Sequence, residues 1–275
     1  MLSRSDAPVR GDRPVRLGVI GWPVAHSRSP AIHNAALAAA GLEHWRYQLL
    51  PVAPGLLGEL VGALPAAGFR GVNVTIPHKP AALSLANAPS PRASAIGAAN
   101  TLVFEADGAV TADNTDAPAL IDALPFAVAG RSALVLGAGG SARAAVWALR
   151  HGGAEVRIWN RSRERAGRLA AQLGGTVAGS VRPADLLVNC TAVGLDRGLS
   201  LQGLPVDADQ LADFGCVVDL VYAAGGTALI RAARARGVLA IDGLELLVLQ
   251  GALSFELFTG RPASREAMRT AAGIG

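Results

Sequence analysis

Lys79 is the only lysine in a chain of 275 residues; the other 24 basic side chains are arginines. It stands in NVTIPHKPAAL (73–83), after a strand-like run and between two prolines. A guanidinium keeps its charge at any working pH, whereas an ammonium can release its proton. A single lysine in an arginine-rich chain therefore points to proton transfer, against the plainer account that nucleotide bias has left one lysine by accident. A second constellation is VLGAGGSARAA, where Gly137-x-Gly139-x-x-Ala142 follows an apolar run and opens a helical one. Glycines at this spacing allow a tight turn and bring a pyrophosphate close to the N–H groups of a helix N-terminus. Gly137, Ala138, Gly139, Gly140, Ser141 and Ala142 are thus candidate cofactor-binding residues. The next strand-like run ends IWNRSRER. An NAD site would end that strand in Asp or Glu for the ribose hydroxyls. Here Asn160 and Arg161 stand in that place, with Arg163 and Arg165 behind them. Guanidinium forks match a 2′-phosphate and a carboxylate would repel it, so NADP is the expected cofactor.

The elements that must position these groups alternate along the chain. RLGVIG (16–21), HWRYQLL (44–50) and GFRGVNVTI (68–76) read as strands. SPAIHNAALAAAG reads as a helix between the first two, with Ser29 as N-cap and Pro30 at N1. A second helix is expected near 54–64. Short crossovers of this kind build a mostly parallel sheet. ANTLVFEADGAVTADN (99–114) differs, with two short strands flanking the hairpin signal Asp107-Gly108. A second α/β series follows Gly130: strand, glycine turn and helix over 132–153, then strand and helix over 154–174. Strands at 185–190 and 216–221, a helix at 226–236 and a strand at 238–241 complete it, before a helical segment from Gly243 that breaks near Pro262. The expected fold is α/β: an N-terminal mostly parallel α/β domain followed by a Rossmann-like NADP-binding domain. The boundary falls near 115–130.

Composition excludes several classes. The chain is 51% hydrophobic, yet no apolar run reaches the roughly 18 residues that span a bilayer. MLSRSDAPVRGDRPVR has no apolar core of a secretory signal and reads as a short disordered lead-in. Cys190 and Cys216 each lie in apolar runs, without the spacing of a metal or redox motif, so two buried thiols, no metal and a reducing cytoplasm are expected. Net charge +4 and a pI near 9.8 come from scattered arginines, with aromatics at only 4%; small anionic ligands suit this balance and nucleic acid does not.

The order of GWPVAHSRSPAIHNAAL (21–37), GVNVTIPHK (71–79), IGAANTLV (96–103), DNTDA (113–117), GAGGSARA (137–144), NRSRER (160–165), DLVY (219–222) and GLELLVLQGALSFELFTG (243–260) resembles the shikimate dehydrogenases over nearly the whole chain. The resemblance implies an N-terminal substrate domain over 1–115, with 243–275 packing back on it, facing an NADP-binding domain over 116–242 across a cleft. It implies that Lys79 and Asp116 form the catalytic pair, reducing 3-dehydroshikimate to shikimate with NADPH. Ser27, Ser29, Thr75, Asn100 and Gln250 would hold the substrate's carboxylate and ring hydroxyls, with Tyr222 near the carboxylate. Thr191, Val221 and Gly243 would lie along the cofactor, Gly243 near the nicotinamide. His26, His33 and His78 receive no catalytic role.

Two segments depart from the family pattern: Ala117-Pro118-Ala119 after the aspartate, and Ala223-Ala224-Gly225-Gly226 after DLVY. Alternatives stay open: a quinate- or aminoshikimate-type paralogue, a folate-linked dehydrogenase, or a sensor that holds NADP without catalysis. The expected partner is a small-molecule substrate, with neither nucleic acid nor membrane; a homodimer is one option for the assembly. Closure of the cleft is expected, because hydride transfer between domains excludes water.

Overall fold

A computed structural model describes residues 14–195 and 200–274. Most of the expected lead-in lies outside the described residues, although Val15 and Arg16 already belong to the first strand. The first series comprises β1 (Val15–Gly21), α1 (Ser29–Ala39), β2 (Trp45–Pro51), α2 (Leu57–Ala63), β3 (Phe69–Val74), α3 (Lys79–Ser84), β4 (Ala88–Pro89), α4 (Pro91–Ile96), β5 (Thr101–Phe104) and β6 (Val110–Asp113). Its strands form one sheet in the order β2-β1-β3-β5-β6-β4. β1 pairs in parallel with β2 and β3, β5 runs antiparallel to β3, and the hairpin at Asp107-Gly108 joins β5 to an antiparallel β6. β1 is buried on both faces from Leu17 to Gly21, as a central parallel strand is, whereas the edge strand β2 buries Trp45 and Tyr47 and exposes Arg46 and Gln48.

The second series follows α5 (Asp116–Ala123): β7 (Ser132–Leu136), α6 (Gly140–His151), β8 (Glu155–Trp159), α7 (Arg163–Leu173), β9 (Thr176–Val177), β10 (Ala184–Asn189), β11 (Phe214–Asp219), α8 (Ala228–Ala235) and β12 (Leu239–Ile241). These six strands form an all-parallel sheet in the order β12-β11-β10-β7-β8-β9. The chain then returns to the first sheet. α9 (Gly243–Thr259) and α10 (Arg265–Ala272) bury Val248, Phe255, Phe258 and Met268 in one core with Leu17, Ile32 and Tyr47.

The strand order reverses between β1 and β3 in the first sheet and between β7 and β10 in the second. In open α/β sheets, ligands bind beyond the carboxyl ends of the strands at such reversals. Here the segments leaving β1 and β3 line one cavity together with those leaving β10 and β11.

One element begins differently from expectation. α1 opens on Ser29 with Arg28 at the N-cap position, so Ser29 is its first residue, its N–H donating to Ser27 Oγ at 3.3 Å. The Ser29 hydroxyl accepts a hydrogen bond from Ser27 Oγ at 3.1 Å and lines the cavity, which directs it away from the helix's own N–H groups.

Candidate active site

Lys79 is the first residue of α3 and is almost fully buried. A cation at a helix N-terminus is opposed by the helix dipole, so a partner is needed to hold it. Asp116, the first residue of α5, supplies one: Lys79 Nζ donates to Asp116 Oδ2 at 2.6 Å. The other carboxylate oxygen, Oδ1, accepts from Asn100 Nδ2 at 2.9 Å. Asn100 is buried, and its own Oδ1 accepts from the Thr115 N–H at 2.8 Å. Gln250 Oε1, from the middle of α9, lies 3.3 Å from Asn100 Nδ2. Four segments far apart in sequence thus converge on one buried ion pair.

Ser27, Ser29, Thr75, Asn100, Tyr222 and Gln250 all line the same cavity of about 180 Å³ as Lys79 and Asp116. Tyr222 reaches it from beyond β11, and its hydroxyl accepts the Arg28 N–H at 3.2 Å across the cleft. Ser141, Thr191, Val221 and Gly243 line the cavity on the side of the second sheet. Gly137 opens the glycine turn with φ +113°, a conformation that favours glycine, and a side chain there would meet the Cys190 carbonyl at 3.0 Å. Ala138, Gly139, Gly140 and Ala142 form the rest of the turn and the start of α6. Asn160 and Arg161 line a neighbouring cavity with Thr191 and Gly194. Arg165 does not line it; it stands exposed in the first turn of α7, its N–H donating to the capping Ser162 Oγ.

The sequence reading missed several groups. Trp22, Pro23, Asn73 and Leu195 line the main cavity as well. Asp219 lines neither cavity but governs the loop that carries Val221 and Tyr222. Its Oδ1 accepts from Asn189 Nδ2 at 2.9 Å and the Val221 N–H at 3.0 Å, and its Oδ2 accepts from Thr227 Oγ1 at 2.6 Å. Burial lifts its carboxyl to about 6, although these three hydrogen bonds pull the other way. The DLVY stretch contained it, yet nothing in that stretch says that the carboxylate faces inward. Burial also raises the Cys190 thiol, which lines the cavity, and lifts Cys216 to about 11; both are free and buried, as expected.

The three histidines divide. His26 is exposed at the cavity mouth. His78 is buried with Nε2 2.8 Å from the Val52 carbonyl. His33 is fully buried, stacked on Tyr47 at 4.2 Å with neither ring nitrogen partnered, and burial lowers it to about 3. Among the described residues no group of three or more His, Cys, Asp or Glu could hold a metal, and no helix is long and apolar enough to cross a membrane.

Family models match three stretches: a shikimate dehydrogenase substrate binding domain over residues 19–102, a shikimate / quinate 5-dehydrogenase model over 122–192, and a shikimate 5'-dehydrogenase C-terminal domain over 243–272. The chain is 44% identical over 270 residues to the shikimate dehydrogenase (NADP(+)) of Anaeromyxobacter sp. strain K, covering 92% of this chain and 94% of that one. The crystal structure of Thermus thermophilus shikimate 5-dehydrogenase in complex with NADP(H) and shikimate aligns at a TM-score of 0.84, with 41% identity, 94% of this chain and 98% of that one. The ligand-free 5-ketofructose reductase of Gluconobacter sp. strain CHM43 aligns at 0.82 with 29% identity, covering 96% of this chain and 99% of that one, so the fold is shared by an enzyme named for another substrate. With identity above 40% sustained across more than nine-tenths of the chain, and matching models on both sheets and the returning helices, this chain belongs to the shikimate dehydrogenase family.

Proposed function

We propose that the chain is an NADP-dependent shikimate dehydrogenase, reducing 3-dehydroshikimate to shikimate reversibly on the route to chorismate and the aromatic amino acids. The observation that carries this reading is the buried Lys79–Asp116 pair, 2.6 Å apart, in a cavity that also collects Ser27, Ser29, Thr75, Asn100, Tyr222 and Gln250. Bound NADPH supplies a hydride to the ring carbonyl carbon. The carbonyl oxygen then needs a proton, and Lys79 Nζ delivers it; in the oxidative direction the lysine takes the hydroxyl proton back. Asp116 holds the ammonium in place and balances its charge. Ser27 and Ser29, at the start of α1, receive the substrate carboxylate with the Tyr222 hydroxyl beside it, while Thr75, Asn100 and Gln250 take the ring hydroxyls. The positive φ at Gly137 and the small residues after it fit a pyrophosphate at the N-terminus of α6. Asn160 and Arg161 fit an adenosine 2′-phosphate, since no carboxylate stands at the end of β8 to repel it.

On this reading residues 1–115 and 243–275 form the substrate domain, 116–242 form the cofactor domain, and the enzyme works in the cytoplasm, as a homodimer or alone. The purified chain should reduce NADP with shikimate as substrate, followed at 340 nm, and respond far less to quinate. Lys79→Ala should lower kcat by roughly 10²–10⁴ with little change in KM. A variant whose KM alone rises would make Lys79 a binding residue. Turnover of quinate equal to that of shikimate would move the assignment to the quinate-type paralogue.

A further inference from the structure

The glycine turn touches the lysine. Lys79 Nζ donates not only to Asp116 Oδ2 but also to Ser141 Oγ, at 2.9 Å. Ser141 is the second residue of α6, so this bond joins the first turn of the cofactor-side helix to the first residue of α3. Asn100, Asp116, Lys79 and Ser141 form one continuous hydrogen-bonded row across the cleft.

A second observation concerns Gly140. The Gly137-x-Gly139-x-x-Ala142 pattern does not call for a glycine there, and its φ lies outside the left-handed region. What requires glycine is the lysine: a Cβ at position 140 would lie 2.7 Å from Lys79 Cβ and 3.2 Å from Cδ. Those are contacts with the base of the stem, which cannot swing away as a side-chain tip could. The lysine stem therefore lies along the backbone of residue 140, and its head is held by residue 141.

We propose that Ser141, with Gly140, is a positioning residue for proton transfer by Lys79, in addition to any contact with the cofactor. An ammonium has three N–H donors. Asp116 and Ser141 take two of them, which leaves the third to point into the cavity at the oxygen that gains the proton. The same short turn that receives the pyrophosphate thereby sets the direction of the proton donor. The inference rests on the function proposed above and concerns the geometry of its catalytic lysine.

Because Lys79 is the only lysine, labelling lysine with 15N at Nζ gives a single side-chain signal to follow. In the unmodified chain the held ammonium should give a protected signal at neutral pH. Ser141→Ala should lose that protection to solvent exchange, lower kcat about tenfold, as for loss of one charge-assisted hydrogen bond, and raise the solvent isotope effect on kcat. The affinity for NADPH, measured by fluorescence titration, should change less than threefold. Ser141→Thr keeps the hydroxyl and should restore both the signal and most of kcat. Gly140→Ala, which displaces the stem, should lower kcat with the ammonium signal shifted. An unchanged signal and kcat in Ser141→Ala, with only the KM for NADP raised, would reduce Ser141 to a cofactor contact and overturn the inference. If the unmodified chain fails to oxidise shikimate with NADP, the functional reading falls and takes this role with it.

Discussion

In the proposed function, cofactor choice turns on Arg161. It is exposed at the end of β8 and lines a cavity with Asn160 and Thr191, where a 2′-phosphate can reach it. A charge-assisted hydrogen bond contributes about 1.5–3 kcal/mol, so one or two such bonds favour NADP over NAD by tens- to thousands-fold. Replacing Arg161 by Asp should erase or reverse that ratio of kcat/KM, with the KM for shikimate nearly unchanged. Equal kcat/KM for the two cofactors in the unmodified chain would refute the assignment of this site. Arg165, named beside Arg161 from the sequence, lines neither cavity, and Arg165→Ala is the natural control. Spacing identified both arginines as candidates; only their placement distinguishes them, because a helix turns successive side chains to different faces.

At the scale of elements, the loop from β11 to α8 carries Val221 and Tyr222 and is tied down by one buried carboxylate. Thr227 serves it twice: its Oγ1 donates to Asp219 Oδ2 at 2.6 Å and caps α8 by accepting from the Ile230 N–H at 3.3 Å. Thr227→Val keeps the shape and removes the hydroxyl. The lost cap is worth about 1 kcal/mol, and the under-satisfied carboxylate about 1–3 kcal/mol more. The midpoint of urea unfolding should fall accordingly, and the KM for shikimate should rise because Tyr222 loses its anchor. An unfolding midpoint within error of the unmodified chain would show that the loop holds without this contact. The Ala223–Gly226 departure from the family pattern sits within this loop, between Asp219 and its threonine partner.

For the whole molecule, two buried groups set opposing responses to acid. His33 sits at about 3 in the folded chain against 6.5 when exposed. The unfolded chain therefore binds the proton first, and the stability that neutral His33 provides, complete above pH 6.5, drains away as pH falls towards 3. By pH 5 that loss is about 2 kcal/mol. Asp219 acts the other way: raised to about 6 from 3.8, it binds a proton more readily when folded, so its contribution to stability grows as pH falls through 6 and is lost as pH rises. The unmodified chain should therefore vary little in stability between about pH 7.5 and 5 from these two groups. His33→Leu removes one of them. Measured by urea unfolding, the stability of His33→Leu relative to the unmodified chain should improve by about 2 kcal/mol between pH 7.5 and pH 5. A pH-independent difference would mean that His33 takes up its proton without opening the core formed with Tyr47, Phe255 and Phe258.

Strands, helices and cofactor class were legible in the sequence because each depends on near neighbours. Apolar runs bounded by glycine and proline name β1, β3, β7 and β11; the glycine spacing names the turn; the arginines after β8 name the phosphate. The lone lysine pointed by its type alone to the proton chemistry proposed for it. What it touches was not legible. Ser141 lies 62 residues away from Lys79, and Gln250 lies 150 from Asn100. Such pairs meet only after two sheets have reversed their strand order and α9 has crossed back to the first. Ser29 could be read as a cap from its position before Pro30, yet the hydroxyl turns into the cavity, where Ser27 donates to it. Asp219 looks like any strand-end aspartate until burial removes water from it and leaves Asn189, Val221 and Thr227 as its partners. Local chemistry is written in local order, whereas the direction of a side chain is decided by whichever distant surface excludes water from it.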